Sequence, residues 1–212
     1  MKLLLVSATK DEIALFADKR IDILVTGVGV PAALYHLQKR IQQVKYDLVI
    51  QAGFAGAYDS GLELGETVIV KQDTFGDIGM EEKHAYQPVF DTPLADKNEF
   101  PFSNGWLINQ NEWMNAFLYK QVKAITINTV SDDELLKQQR VHVYDPSVET
   151  MEGAALHYVC LQEQVSFLQL RTISNYAGVR DKHQWKLKES VNNLSHELKM
   201  IIDQLLADGF KK

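Results

Sequence analysis

The stretch that decides the fold is Val49-Ile50-Gln51-Ala52-Gly53-Phe54-Ala55-Gly56. Its first part is apolar without a regular alternation of polar residues, which is typical of a strand buried on both faces of a sheet. Two glycines then mark the carboxyl end of this strand, the edge at which open α/β sheets bind ligands. Glycines let a ligand approach the backbone closely. Taken alone, however, residues 53–56 are interpreted as a tight turn.

Similar apolar runs recur along the chain, and helical patterns lie between several of them. The predicted strands are Leu3–Ser7, Ile21–Thr26, Asp47–Ala52, Glu66–Lys71, Ala124–Asn128 and Phe167–Ser174. The predicted helices are Pro31–Val44, Glu152–Gln164 and a long amphipathic segment that contains Leu187 and Leu205. Strands that alternate with helices predict a single α/β domain over residues 1–212, with a twisted, mostly parallel (mixed) sheet between layers of helices.

Residues 73–109 lack a clear period, although they carry several aromatic side chains among Pro, Asp and Asn. A long loop with aromatics in a compact domain is often a lid or the wall of a pocket. The alternative is a surface excursion that packs its own aromatic side chains. The sequence alone leaves both interpretations open.

The bulk properties exclude several classes of function. The net charge of −6 and the isoelectric point near 5.5 provide no basic surface for nucleic acid. No run reaches the ~18 apolar residues of a membrane span, and the short apolar start is interpreted as a strand, not an export signal. The single cysteine, Cys160, fits a reducing compartment. We therefore expect a cytoplasmic protein without nucleic-acid or membrane partners.

A second glycine pair, Gly27 and Gly29, follows a predicted strand and opens a predicted helix. It matches a dinucleotide-binding fingerprint, which also needs an acidic residue at the end of the next strand. Asp47 stands at the beginning of that strand instead. The pair therefore predicts a tight strand-to-helix turn. The histidines are scattered without ligand spacing, so neither a metal nor a cofactor is expected.

Several segments, taken in order, form a pattern that resembles a known superfamily. They are the quoted stretch with Ser7-Ala8-Thr9-Lys10-Asp11-Glu12, Gly65-Glu66-Thr67-Val68-Ile69-Val70, Val148-Glu149-Thr150-Met151-Glu152-Gly153-Ala154-Ala155 and Arg171-Thr172-Ile173-Ser174-Asn175. The chain is similar in this order to the superfamily of purine nucleoside phosphorylases and methylthioadenosine/S-adenosylhomocysteine nucleosidases. The resemblance implies that superfamily's fold, a purine nucleoside as substrate, and a homo-oligomer.

The resemblance also implies roles for individual residues. Glu12 is similar to the carboxylate that activates the attacking water, and Glu152 to the carboxylate that accepts hydrogen bonds from the ribose hydroxyls. Met151 resembles the residue that packs beneath the ribose, and Phe54 and Gly53 lie where the pocket is lined. Without the resemblance, each glutamate would be interpreted as an acidic residue at a helix N-terminus, including a helix near residue 11.

Two departures from the superfamily pattern narrow the reaction. Neutral Gln51 stands where bacterial phosphorylases carry a phosphate-binding arginine, which favours water as the nucleophile. Asn175 stands where nucleosidases carry the aspartic acid that protonates the leaving adenine. An amide both donates and accepts, which suits a 6-oxopurine such as hypoxanthine. Asn175 is therefore expected to act as a catalytic residue that helps the base leave through hydrogen bonding or a relayed proton, and the resemblance leaves open how the base is protonated.

The run that begins at Ser174-Asn175-Tyr176 and continues through Arg180-Asp181 to Trp185 is similar to a signature of futalosine hydrolases. Membership would imply release of hypoxanthine from futalosine, an inosine-like nucleoside with a 5′ carboxyphenyl ketone, for menaquinone synthesis. Arg180 or His183 would bind the carboxylate, and Phe75 would stack on the phenyl group. A nucleosidase for methylthioadenosine, another purine nucleoside hydrolase or phosphorylase, and a non-catalytic nucleoside-binding module remain alternatives.

Overall fold

The structure is a computed structural model, and it describes residues 1–83 and 85–207. The strands are β1 (Leu3–Ser7), β2 (Asp22–Val25), β3 (Leu48–Ala57), β4 (Thr67–Asp73), β5 (Gly79–Glu82), β6 (Ala85–Pro88), β7 (Leu107–Ile108), β8 (Gln121–Thr126), β9 (Val148–Thr150) and β10 (Phe167–Tyr176). The α-helices are α1 (Val30–Gln43), α2 (Glu134–Tyr144), α3 (Gly153–Gln162) and α4 (Leu187–Ala207). Three short 3₁₀ turns lie at Val89–Asp91, Glu112–Asn115 and Lys182–Gln184.

The main sheet is mixed and is organised around β3. Within the described ranges its strand order is β10-β4-β8-β9-β3-β1-β2, and β10 also pairs with β3, so five strands close into a ring. Strands β1, β2, β3 and β10 run parallel to one another, whereas β9 runs antiparallel to β3. The predicted α/β fold with a mixed sheet flanked by helices is confirmed.

The helices cover the two faces of the sheet because successive strand residues point to opposite sides. In β1, Leu4 and Val6 pack against α1 and α3, while Leu3 and Leu5 join the core beneath α4. Helix α4 contributes buried apolar side chains at helical spacing, including Leu194 and Leu198. The three layers therefore follow from the alternation of side chains along the strands and from the helical spacing of the apolar residues in the helices. No helix of the described chain combines the length and apolar character needed to cross a membrane.

Most predicted elements agree with the structure to within a few residues, but two local predictions are wrong. Residues 53–56 are not a tight turn; they lie inside β3, which continues to Ala57 because β10 pairs with it along this length. Residues 11–15 form turns instead of the first turn of a helix, with Ala14 N–H donating to the Asp11 carbonyl at 3.3 Å. Helix α2 and strand β9 were not predicted.

Residues 73–109 form the hairpin β5–β6 and a compact aromatic cluster. The rings of Phe75, Phe90, Phe102 and Tyr158 of α3 form this cluster, with the centroids of Phe90 and Phe102 4.8 Å apart. The segment thus packs its own aromatic side chains, which was the second of the two interpretations.

Truncation of a buried side chain on α4 tests how strongly this helix stabilises the fold. Leu198 is fully buried, so Leu198→Ala leaves a cavity and is expected to lower the free energy of unfolding by about 2–5 kcal/mol. Met200 on the same helix is 49% exposed, and Met200→Ala should change stability by less than about 1 kcal/mol. Urea unfolding of both variants measures the difference, and equal losses would contradict the packing of α4 against the sheet through Leu198.

Candidate active site

The candidate site lies where β3 changes its strand partner. Along one edge of β3, β1 pairs with residues 48–51 and β9 pairs with residues 56 and 57, while β10 occupies the other edge. No described strand pairs with residues 52–55 on the first edge. Backbone N–H groups in this gap are therefore free to bind side chains. A cavity of about 600 Å³ opens here, a size typical of small-molecule sites.

Glu12 lies in this gap and is held by hydrogen bonds. Its Oε2 accepts from Ser7 Oγ at 2.9 Å, from Thr9 N at 2.9 Å and from Thr9 Oγ1 at 3.2 Å. Its Oε1 accepts from the Phe54 backbone N–H at 3.3 Å, one of the groups that the missing strand leaves open. The turn after β1 thus holds the carboxylate in a fixed orientation, and Glu12 lines the cavity.

Glu152 reaches the same cavity from the start of α3. It occupies the N-cap position, but its side chain makes no capping hydrogen bond. Instead, its Oε1 accepts from the Gly29 backbone N–H at 2.7 Å. Gly27 and Gly29 both have φ near +90°, which only glycine adopts without strain, so the predicted turn before α1 serves to aim this N–H at Glu152. Burial raises the pKa of Glu152, and Arg171 opposes the shift.

Arg171 is a buried cation beside Gly53 and Glu12, and it does not itself line the cavity. It is 1% exposed, and its Nη2 donates to Gln51 Oε1. Burial lowers the pKa of its guanidinium, whereas the carboxyl groups of Glu152, Glu12 and Asp73 oppose that shift. A Cβ on Gly53 would collide with Arg171 Nη1 and lie 2.6 Å from Glu12 Oε1. Gly53 is therefore needed because its missing side chain leaves room for both the guanidinium and the carboxylate.

Asp73 is the fully buried member of this group of acids. Its Oδ1 accepts from Thr126 Oγ1 at 3.0 Å and its Oδ2 accepts from Gln169 Nε2 at 3.2 Å. Burial raises the pKa of Asp73 to about 7, although the two hydrogen bonds and Arg171 oppose the shift. The carboxyl group contacts Gly153, the residue after Glu152, so a side chain at 153 would displace it.

The other end of the cavity is formed around Gly56, three residues or roughly 10 Å further along β3. Asn175 of β10 and Glu149 of β9 are both in register with Gly56, on its two sides. A Cβ on Gly56 would lie 3.2 Å from Asn175 Nδ2 and 3.4 Å from Glu149 Oε1. A β-bulge at Ser174 shifts the β10 register here, and Ser174 Oγ donates to Asn175 Oδ1 at 2.8 Å. An amide and a carboxyl group thus converge over an open glycine.

The remaining predicted site residues fall into two groups. Phe54, Met151 and Arg180 line the cavity, and the Arg180 guanidinium lies 5.3 Å from the ring centroid of Trp185, which also lines it. Phe75 does not line the cavity; its ring is held in the aromatic cluster with Phe102 and Tyr158. The prediction that Phe75 contacts the ligand is not supported by its position.

Sequence reasoning assigned no role to Arg171, Asp73 or Glu149. For two of them a signal was present: Arg171 is a charge inside a run interpreted as a strand buried on both faces, and Glu149 is an acid in a short apolar segment just before Glu152. Asp73 stood at the end of a predicted strand, where solvent exposure is the usual expectation. Within residues 1–83 and 85–207, no group of three or more His, Cys, Asp or Glu side chains could hold a metal ion.

The chain is similar in sequence to two groups of nucleoside hydrolases and to one superfamily model. A sequence model described as "Phosphorylase superfamily" matches residues 9–207. A futalosine hydrolase of Thermus thermophilus is 30% identical over 182 residues, which cover 84% of this chain and 80% of that protein. A 5′-methylthioadenosine/S-adenosylhomocysteine nucleosidase of Colwellia psychrerythraea is 24% identical over 202 residues, 86% of this chain and 79% of that protein.

Solved structures share the fold. A 5′-methylthioadenosine/S-adenosylhomocysteine nucleosidase of Helicobacter pylori superposes with a TM-score of 0.80 at 19% identity, covering 97% of this chain and 99% of that one. The futalosine hydrolase of Helicobacter pylori superposes with a TM-score of 0.77 at 19% identity, covering 97% and 98%. At such identities these structures establish the architecture of the chain, and the site has to be argued from its own residues.

The buried acid Asp73 makes stability depend on pH. Its pKa of about 7 in the folded chain lies above the ordinary value of 3.8, so the folded state binds the proton more tightly. The stabilisation of the fold by Asp73 is therefore fully present at low pH. It is lost as pH rises toward 7, and the free energy of unfolding falls by at most about 1.4 kcal/mol per pH unit. Asp73→Asn removes this loss, so its stability relative to wild type should increase from pH 4 to 7. The exposed control Asp132→Asn should show no such trend in urea unfolding; parallel curves for wild type and Asp73→Asn would contradict the assignment.

Proposed function

This chain belongs to the phosphorylase superfamily, and we propose that it is a hydrolase that cleaves the N-glycosyl bond of a purine nucleoside with water. The observation that carries the proposal is the meeting of Glu12 and Glu152 at one cavity, above a buried Arg171. Glycosidic cleavage passes through an oxocarbenium-like state, which needs a nucleophile at C1′ and a firmly held sugar. Glu12 suits the activation of the nucleophile, and Glu152 suits the binding of the sugar.

Glu12 is the group that activates water. Its carboxylate accepts four hydrogen bonds from Ser7, Thr9 and Phe54, so it does not need to reorganise during the reaction. A carboxylate held in this way takes a proton from water as the oxygen attacks C1′. Glu152, anchored by the Gly29 N–H, accepts hydrogen bonds from the vicinal hydroxyls of the ribose, with Met151 packed beneath the ring.

Water is a better nucleophile for this site than phosphate. Gln51 is neutral, and its Oε1 already accepts from Arg171. The positive charge of Arg171 in turn faces the carboxyl groups of Glu152, Glu12 and Asp73. Little uncompensated positive charge is left beside Glu12 and Glu152, so a phosphate dianion would be repelled there.

Futalosine is the specific substrate that we favour, with hypoxanthine and dehypoxanthine futalosine as products for menaquinone synthesis. Asn175 presents an amide in the cavity, which matches the C6 carbonyl of hypoxanthine. Arg180 lines the cavity and has no ion pair among the described residues, so it is available for the substrate's carboxylate. A second candidate is hydrolysis of methylthioadenosine, the activity that the Colwellia relative's name states.

Base release from three nucleosides tests the proposal directly. The protein is incubated with futalosine, inosine and methylthioadenosine, each with and without phosphate, and the free base is identified by chromatography. We expect hypoxanthine from futalosine at a rate that phosphate does not change. Glu12→Gln should lower kcat roughly 100- to 10,000-fold, because the water loses its general base. The matched control Glu99→Gln, on an exposed loop outside the cavity, should behave as wild type.

Other outcomes would change the proposal. Adenine from methylthioadenosine would favour the second candidate, and phosphate-dependent release would favour a phosphorylase. Binding of nucleosides without any turnover would indicate a binding module instead of an enzyme.

Removal of the cation at position 180 tests the site of the substrate's carboxylate. A charged hydrogen bond contributes about 1.5–3 kcal/mol, so Arg180→Gln should raise the KM for futalosine roughly 10- to 100-fold. The KM for inosine, which has no carboxylate, should stay within about threefold of wild type. Arg180→Lys, which keeps the charge, should lie between the two. An equal rise of both KM values would mean that Arg180 acts only through its packing on Trp185.

A further inference from the structure

We propose that Glu149, and not Asn175, is the acid that protonates the departing purine. The inference rests on the proposed function, since it assigns a further catalytic residue to the same reaction. An amide such as Asn175 has no proton to give, yet departure of a purine anion is difficult without one. A second group must therefore supply the proton at the end of the cavity where Asn175 lies.

Glu149 is in the position that this role needs. It lines the cavity, is 5% exposed, and lies across Gly56 from Asn175 in the register of the sheet. The missing side chain of Gly56 leaves space between the two groups, since a Cβ there would be 3.2 Å from Asn175 Nδ2 and 3.4 Å from Glu149 Oε1. A purine whose N7 and O6 edge points toward this glycine would meet both groups, because N7 and O6 are adjacent on one edge of the base.

The two oxygens of Glu149 are in different environments. Oε2 accepts from Tyr58 Oη at 2.5 Å and lies 3.6 Å from Arg140 Nη1. Oε1 has no hydrogen-bond partner among the residues that the structure describes, and it is the oxygen directed toward Gly56. A proton on Oε1 can therefore be donated to a ligand, while the other oxygen is held by the protein.

The surroundings of Glu149 suit an acid that gives up its proton once in each turnover. Burial raises the pKa of Glu149, so the neutral acid persists to higher pH than for an exposed glutamate. Tyr58, Arg140, Arg180 and Lys137 face it and oppose that shift. The same groups stabilise the carboxylate that remains after proton transfer. Arg140 is itself 5% exposed, which makes this ion pair a built feature of the site.

The bond between C1′ and N9 breaks, its electron pair goes to the purine, and the proton of Glu149 Oε1 goes to N7. Water attacks C1′ and its proton goes to Glu12. Asn175 Nδ2 donates to the C6 carbonyl, which shares the developing negative charge. The products are the neutral base and the free sugar, after which Glu149 regains a proton from solvent and Glu12 releases one.

Kinetics of two variants as a function of pH test the proposal. Because the neutral form of Glu149 is the active one, kcat of the wild type on its best purine nucleoside should fall as pH rises through the raised pKa. Glu149→Gln keeps the size and polarity of the side chain, so KM should stay within about threefold. Its kcat should fall roughly 100- to 10,000-fold, and the decline at high pH should disappear. Glu99→Gln is the matched control on an exposed loop.

Tyr58→Phe separates an acid from a structural carboxylate. It removes the hydrogen bond to Oε2, so the pKa of Glu149 should rise and the decline in kcat should move to higher pH without disappearing. Infrared difference spectra give a readout that does not depend on turnover: a protonated carboxyl band of the wild type should be absent from Glu149→Gln.

Each outcome has a distinct meaning. An active wild type with normal kcat in Glu149→Gln would overturn the acid role and leave the proposed function intact. A loss in KM alone, with an unchanged pH profile, would assign Glu149 to base binding and also overturn it. A wild type that releases no base from any nucleoside would overturn the proposed function and this inference with it. Melting curves identify any variant that is misfolded. If Glu149→Gln is misfolded, the pH profile of kcat for Tyr58→Phe decides: a shift to higher pH supports the acid role of Glu149, and an unshifted profile contradicts it.

Discussion

The structure depends on one buried cation. Arg171 lies inside the sheet with its guanidinium facing the carboxyl groups of Glu152, Glu12 and Asp73. Removal of a single partner from such a group leaves an uncompensated buried charge, which typically costs several kcal/mol. The cation makes it possible to bury Asp73 and Glu152 close to the half-buried Glu12, and Gly53 leaves room for the guanidinium beside Glu12. The balance of charge around Arg171 thus depends on a backbone position, Gly53, that has no side chain.

The topology of the sheet explains why this group forms where it does. Strand β3 exchanges β1 for β9 on one edge, and the four residues between have no strand partner there among the described elements. Unpaired backbone groups inside a protein must find other partners. Glu12 supplies one by accepting from the Phe54 N–H, so the carboxylate closes the gap that the topology opens. The irregularity in pairing is what places a charged side chain at the centre of the fold.

The sequence predicted the layers and most strands because both depend on local periods. Leu3 and Leu4 already indicate by their spacing which faces of β1 are covered. The prediction from the sequence was wrong at Gly53. Glycines occur both in tight turns and in strands where neighbouring side chains need room, and only the pairing with β10 distinguishes the two cases. Glu12 and Glu152 were placed through family resemblance. Glu149 was not, because the role proposed for it depends on Asn175 and Gly56, which are distant from it in sequence and adjacent to it only across strands.

The carboxyl groups at the two ends of the cavity have different neighbours, which suits the different roles proposed for them. Glu12 has both oxygens occupied by hydrogen-bond donors, which hold it as an acceptor. Glu149 has one oxygen held by Tyr58 and Arg140 and one directed to an open glycine, while burial raises its pKa. Pairs of acids whose environments differ in this way are how enzymes assign base and acid roles. In the proposed mechanism, Asn175 in place of an acid does not remove proton donation from the site: the proton comes from Glu149 of β9, on the other side of β3, and the amide of Asn175 on β10 binds the carbonyl of the base.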